Sequence, residues 1–156
     1  MQILFVCTGN TCRSSMAEAI ANHLAQQNNL ADKLIFTSAG TGAWDGCPAS
    51  PNALDAVKAY GIDLSRHKAK RVNAELVKQA DLILTMTHGH KAQLAALFPA
   101  CRDKLYTLYE YLGDKTRNVD DPFGGNLAVY QACAAELKQA IEELLIKLQA
   151  EGGMGK

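Results

Sequence analysis

Four short apolar runs alternate with helix-patterned segments along this chain, and that alternation limits it to an α/β fold. The runs are Ile3 to Val6, Leu34 to Ser38, Leu82 to Met86 and Leu105 to Leu108. Leu82 to Met86 is the most hydrophobic and is expected at the centre of a sheet. Helices are predicted over 15–28, 49–60, 73–79, 88–97 and 126–149, with Gly61 stopping the second. Ser15 and Glu18 have the S-x-x-E spacing of a capping box at the first helix start. Strands joined by helical crossovers pair in parallel and carry helices on both faces. In the last helix, Leu127, Tyr130, Ala134, Leu137, Ile141, Leu144 and Leu148 recur at steps of three and four. Such a stripe suits docking onto the sheet better than a coiled-coil seam, since it is barely three heptads long. One domain over 1–156 is expected, with residues from about 151 onward as a loose tail.

Composition narrows the partners. The 156 residues are 48% hydrophobic and carry a formal net charge of zero. No basic excess recommends a nucleic-acid partner. Arg66 to Arg71, in RHKAKR, reads as a solvated loop or as local attraction for an anionic substrate. The apolar start MQILFVC is too short to span a bilayer and has no basic segment before it. Five cysteines, an odd number, argue against a disulfide framework and for a reducing cytoplasm. With no C-x-x-C and no zinc-like His spacing, neither metal nor cofactor is expected.

The informative segment is Cys7-Thr8-Gly9-Asn10-Thr11-Cys12-Arg13-Ser14, between the first strand and the first helix. A loop there has backbone N–H groups free to converge on an anion at a helix N-terminus. Gly9 and Asn10 tolerate the positive φ angles such a nest needs. A cysteine at its base is placed to act as a thiolate, helped by the helix N-terminus and Arg13. Arg13 offers a planar fork for two phosphate oxygens, and Ser14 a hydroxyl for the sulfur. A buried, inert cysteine at a strand end is the plain alternative; the surrounding strand, helix, glycine and asparagine argue against it. Phosphoryl transfer to sulfur needs an acid for the leaving group. Asp120-Asp121-Pro122-Phe123-Gly124-Gly125 supplies one on a loop ahead of the last helix, where an ordinary Asp-Pro turn would otherwise be the reading.

These segments make the chain resemble the low-molecular-weight protein tyrosine phosphatase family over nearly its whole length. The resemblance rests on FVCTGNTCRS, SAGT at 38–41, AWDGCPASPNA at 43–53, GIDLSRHKA at 61–69, DLILTM at 81–86 and DDPFGG at 120–125. It implies a flavodoxin-like four-stranded parallel sheet, metal-independent chemistry and a phosphocysteine intermediate. By motif position it implies Cys7 as nucleophile, Arg13 as phosphate clamp and Asp121 as general acid. Thr8, Gly9, Asn10, Thr11, Cys12, Ser14, Ser38, Trp44 and Phe123 fall among the phosphate- or substrate-binding positions; Asn10, Ser14 and Ser38 look like loop supports. Ser15 stands where the family often has proline, and both suit a helix start. Thr11 stands where tyrosine-directed members carry an apolar residue. Together with DPFGG it resembles the bacterial protein-arginine phosphatase branch, because a hydroxyl suits a guanidinium better than a methyl wall does.

The implied partners are phosphorylated proteins, with inorganic phosphate as product, and a monomeric cytoplasmic enzyme. A tyrosine phosphatase of the same fold is the main alternative. A thioredoxin-coupled arsenate reductase would need further cysteines near Leu82 to His88, where there are none. An anion- or flavin-binding carrier would leave Cys7 and Asp121 idle. Cys12 is expected in the loop wall, or as a reversible disulfide partner of Cys7.

Overall fold

The computed structural model describes residues 1–152. Strands β1 (Gln2–Cys7), β2 (Ile35–Gly40), β3 (Leu82–Thr85) and β4 (Leu105–Thr107) form one parallel sheet in the order β2-β1-β3-β4. The helices are α1 (Arg13–Gln27), α2 (Pro51–Lys58), α3 (Ala74–Gln79), α4 (His88–Leu97), α5 (Leu108–Tyr111) and α6 (Leu127–Gly152), with a 3₁₀ turn at Pro99–Lys104. The expected flavodoxin-like α/β architecture is therefore present, and β3 is an interior strand.

Strand pleating divides the core in two. From β1, Ile3, Phe5 and Cys7 enter the larger core with α1, α2 and α6, while Leu4 and Val6 join Val77, Ile83, Leu94 and Leu105 on the opposite face. The α6 stripe is buried in that larger core at Tyr130, Ala134, Leu137, Ile141, Leu144 and Leu148, and the helix packs on its neighbours α1 and α2. Burying one such aliphatic side chain contributes about 1.5–3 kcal/mol. Leu127 departs from the expectation and is exposed.

Several local expectations change. The capping box at Ser15 and Glu18 does not form. Helix α1 begins two residues earlier, at Arg13, so Ser15 lies within the first turn and its hydroxyl donates to Cys12 O at 2.9 Å. Glu18 turns instead to β2 and accepts from Ser38 Oγ at 2.5 Å. A capping box does form at Thr107 and Glu110, which starts α5 and ends β4 at Thr107, before Leu108. Finally, α2 is shorter than predicted: it starts at Pro51 behind Ser50 and ends at Lys58, with Gly61 at φ +77° beyond it. Helix α6 continues through Glu151 and Gly152, into the expected tail; residues 153–156 lie outside the described residues.

The order of strands decides where a ligand can enter. From β1 the chain goes to one side to form β2, then crosses to the other side to form β3. The connections diverge at the carboxyl end of β1, which opens a crevice there.

Candidate functional site

The residues that follow Cys7 wrap around that crevice. A cavity of about 280 Å³ is lined by Cys7, Thr8, Gly9, Thr11, Cys12, Arg13, Asp121 and Phe123. The loop owes its shape to where its carbonyl groups point. Thr41 N donates to Cys7 O, Gly42 N to Thr8 O, Ser50 N to Thr11 O and Met16 N to Cys12 O. His67 Nε2 donates to Asn10 O at 2.6 Å. In a trans peptide the N–H points opposite to the carbonyl, and no cis bond is present among the described residues. With the carbonyls turned outward, the amides of Thr8, Gly9, Thr11, Cys12 and Arg13 turn toward the cavity. Amides turned inward at the N-terminus of α1 are an arrangement that suits an anion.

Asn10 supplies the one left-handed turn in the loop, at φ +59°; Gly9 does not adopt a positive φ, contrary to expectation. The glycine that matters sits across the crevice. A Cβ on Gly40 would collide with the Thr8 carbonyl, so only glycine lets β2 approach the loop so closely.

A directed hydrogen-bond chain runs beneath the nest. Glu18 can only accept, so Ser38 gives its proton to Glu18 and accepts from Asn10 Nδ2 at 2.9 Å. The second hydrogen of Asn10 Nδ2 goes to Ser14 Oγ at 2.9 Å. Ser14 is left with one hydrogen, and Cys7 Sγ lies 2.8 Å away, nearer than the alternative acceptor Ala39 O at 3.4 Å. The chain thus aims a hydroxyl donor at the Cys7 sulfur, a bond that a thiolate takes strongly and a thiol barely uses. Asn10 Oδ1 is filled by Lys70 N at 2.9 Å. Asn10, Ser14 and Ser38 are fully buried.

Arg13 is nearly as enclosed, at 5% exposure. Its Nη1 donates to Val119 O at 2.9 Å, and its Nη2 lies 3.6 Å from Asp121 Oδ2. That pair joins the start of α1 to the loop before α6. The other oxygen of Asp121 accepts from Phe123 N at 3.0 Å, and Gly125 N closes the turn onto Pro122 O. Asp120 and Phe123 are exposed, and Asp120 does not line the cavity.

The remaining predicted residues fall in different places. Thr11 lines the cavity. Cys12 lines it too, with its sulfur 3.3 Å from Tyr130 OH and 3.4 Å from Ser50 Oγ. Trp44 is exposed and is not among the lining residues. Cys133, behind the loop, is pushed up to about 12 by burial, which leaves it a thiol. Burial likewise raises Cys101. Among the described residues no three His, Cys, Asp or Glu side chains gather as a metal site.

Sequence reasoning missed Glu18, His67, His90, Ser50 and Tyr130. His67 and Lys70, both half-buried, belong to the basic RHKAKR segment, whose charged composition hides that its backbone and imidazole brace Asn10. His90 is buried on α4 and bonds to Thr8. No local pattern announces these contacts, because each partner lies far away in sequence.

Fold and site together define an α/β protein with a cysteine in a cavity at the carboxyl end of β1, beside the N-terminus of α1. Comparison with known proteins agrees: low molecular weight phosphotyrosine protein phosphatase is the family that matches, over residues 2–153. A protein-arginine-phosphatase of Bacillus subtilis (strain 168) is 40% identical over 151 residues, covering 97% of this chain and 99% of that protein. The solved structure of YwlE arginine phosphatase, in a variant whose active-site serine is phosphorylated, superposes with a TM-score of 0.92 at 40% identity, covering 96% of each chain. A low molecular weight protein tyrosine phosphatase from T. tengcongensis gives 0.91 at 44% identity, covering 95% of this chain and 99% of that one. The chain belongs to the low molecular weight phosphotyrosine protein phosphatase family.

Proposed function

We propose that this protein is a phosphoprotein phosphatase that works through a phosphocysteine on Cys7 and prefers phosphoarginine. The observation that carries the phosphatase reading is the donor chain from Asn10 through Ser14 to Cys7 Sγ, set under a nest of inward amides. The phosphoryl group enters the nest with its oxygens on the loop amides and the Arg13 guanidinium. Cys7 sulfur attacks phosphorus, an S–P bond forms and the bond to the leaving nitrogen breaks. Asp121 gives its proton to that nitrogen. In the second half the Asp121 carboxylate takes a proton from water, whose oxygen attacks phosphorus. The S–P bond breaks, inorganic phosphate departs, and both Cys7 and Asp121 return to their starting states. Arg13 holds the equatorial oxygens throughout.

Support for arginine comes from Thr11 on the cavity wall and from the arginine phosphatases among the relatives. The Thr11 hydroxyl is a partner for a guanidinium N–H, and the exposed ring of Phe123 can pack on its planar face. Phosphotyrosine is the second reading, favoured by that same apolar ring and by the tyrosine phosphatase at 44% identity. The proposal carries with it a monomer in a reducing, cytoplasmic setting, acting on phosphorylated proteins without metal or cofactor. Among the described residues no helix is long and apolar enough to cross a membrane.

Thr11→Ile tests the preference. Leaving a buried polar group unpaired costs about 1–3 kcal/mol, so kcat/KM on a phosphoarginine peptide should fall about tenfold or more. Turnover of a phosphotyrosine peptide should hold or rise. The ratio of the two cancels any general loss of stability. An unchanged ratio would remove Thr11 as the selector and favour the tyrosine reading.

A further inference from the structure

His90 is separated from Thr8 by 82 residues, yet its ring reaches the phosphate loop. It is 5% exposed, and no step above uses it. Its backbone N–H donates to Thr87 Oγ1 at 3.2 Å, the cap of α4. The same oxygen lies 3.0 Å from the ring nitrogen Nδ1. A hydroxyl that already accepts the cap bond has one hydrogen to give, and Nδ1 is the acceptor that faces it. When Thr87 gives that hydrogen to Nδ1, Nδ1 is the bare nitrogen and Nε2 carries the proton. In that tautomer Nε2–H donates to Thr8 Oγ1, 2.8 Å away. The methyl group of Thr8 faces Gly42, while the residue lines the cavity. Having accepted from the ring, Thr8 Oγ1 keeps its own hydrogen.

We infer that His90 is a positioning residue that acts through Thr8: its Nε2–H orients the Thr8 hydroxyl so that the hydroxyl hydrogen points into the cavity as an extra donor to a phosphoryl oxygen. This rests on the cavity being a phosphoryl site. The relay runs from the cap of α4 through two threonine hydroxyls and one imidazole, and so ties the end of β3 to the loop after β1. Burial holds the His90 ring down to about 4, aided by the charge on Arg13 and opposed by Asp121, so the ring is neutral at pH 7 and keeps one proton. A neutral donor suits this place, since an imidazolium would set a second cation near Arg13.

The test is a double-mutant cycle with His90→Leu, Thr8→Val and the pair, read by kcat/KM on para-nitrophenyl phosphate and by the Kd for vanadate. Each single change should weaken both about tenfold, the cost of one charge-assisted hydrogen bond. The pair should be no worse than either single change, because both remove the same donor. Thr8→Ser, which keeps the hydroxyl, and His90→Gln, which keeps an N–H donor, should recover most of the loss. Nitrogen-15 spectra of the ring at pH 7 should show Nε2 protonated. Additive losses in the cycle, or protonation at Nδ1, would overturn the assignment. So would a His90→Gln enzyme that unfolds at the wild-type temperature yet binds vanadate no better than His90→Leu. Wild-type turnover and its inhibition by vanadate are the control. If both are missing, the phosphatase reading falls and the relay with it; if both are present, additive variants sink the relay alone.

Discussion

Asn10, in the loop after β1, and Arg13 and Ser14, in the first turn of α1, are at most 5% exposed, whereas the Asp121 side chain and Phe123, in the loop before α6, are 55% and 79% exposed. The first loop is fixed by its outward carbonyls and by the chain from Glu18 to Cys7. The second is held by an Asp121–Phe123 turn, one closure at Gly125 and the contacts of Arg13 with Asp121 and Val119. On the proposed mechanism the difference follows from what each loop does. A phosphoryl group has the same shape on every substrate, so its receptor can be built rigidly from buried groups. Leaving groups differ, and their proton must be exchanged with solvent water, so the group that protonates them stands at the surface.

This contrast can be broken by mutation, and the largest effect is expected at its buried centre. Cys7→Ser should abolish turnover while the fold persists, because a serine hydroxyl is the same shape but hardly ionises near neutral pH. Circular dichroism and single-turnover kinetics check both halves; near-normal turnover would rule out the covalent route. Arg13→Lys comes next. Lysine keeps the charge but cannot reach Val119 O and two phosphate oxygens with one planar fork. A loss of about 10²-fold or more in kcat is expected, as when a transition-state donor is removed. Vanadate bound as tightly as by wild type would show that Arg13 is not the clamp.

At the exposed loop the effect should depend on the substrate. Asp121→Asn should slow phosphorylation of Cys7 by about 10²–10⁴-fold for poor leaving groups and much less for an activated aryl phosphate. Asp120→Asn should be mild for both, since that side chain does not line the cavity. Equal damage at the two positions would mean that the shape of the loop counts for more than the proton. The only reversible effect should come from peroxide. Oxidation of Cys7 to a sulfenic acid reduces peroxide to water. Attack by the Cys12 sulfur then releases water and forms a disulfide. Cys12 must leave Tyr130 and Ser50 to do so. A thiol reductant should restore activity, and mass spectrometry should find the Cys7–Cys12 crosslink. Cys7 found only as irreversible acid, with Cys12 free, would count against a protective role for Cys12.

The parts of the fold legible in the chain were those with local causes. The strand runs are continuous because both faces of the sheet are covered, and α4 matches its predicted span because Thr87 and Pro99 bound it. The α6 stripe was visible because packing repeats at the helical period. The capping box at Ser15 misled for the opposite reason. Its pattern is local, but α1 starts at Arg13, which puts Ser15 inside the first turn, and Glu18 is claimed by Ser38 on β2. At Thr107 and Glu110 the same pattern holds, although Glu110 Oε1 also accepts from Lys91 Nζ at 2.7 Å.

Sequence alone placed Cys7, Arg13 and Ser14 on one loop, because a nest at a helix N-terminus is a contiguous device whose residues are neighbours in the chain. It also pointed to Asp121, through the loop that proline and glycines mark out. Tertiary structure alone decided which way the hydrogen bonds run: that Glu18 orients Ser38, that Asn10 is braced by His67 and Lys70, and that His90 reaches Thr8. Hydrogen-bond direction depends on which donors and acceptors meet, and here the partners come from β2, from the segment after α2 and from α4, brought together only when the sheet closes over β1.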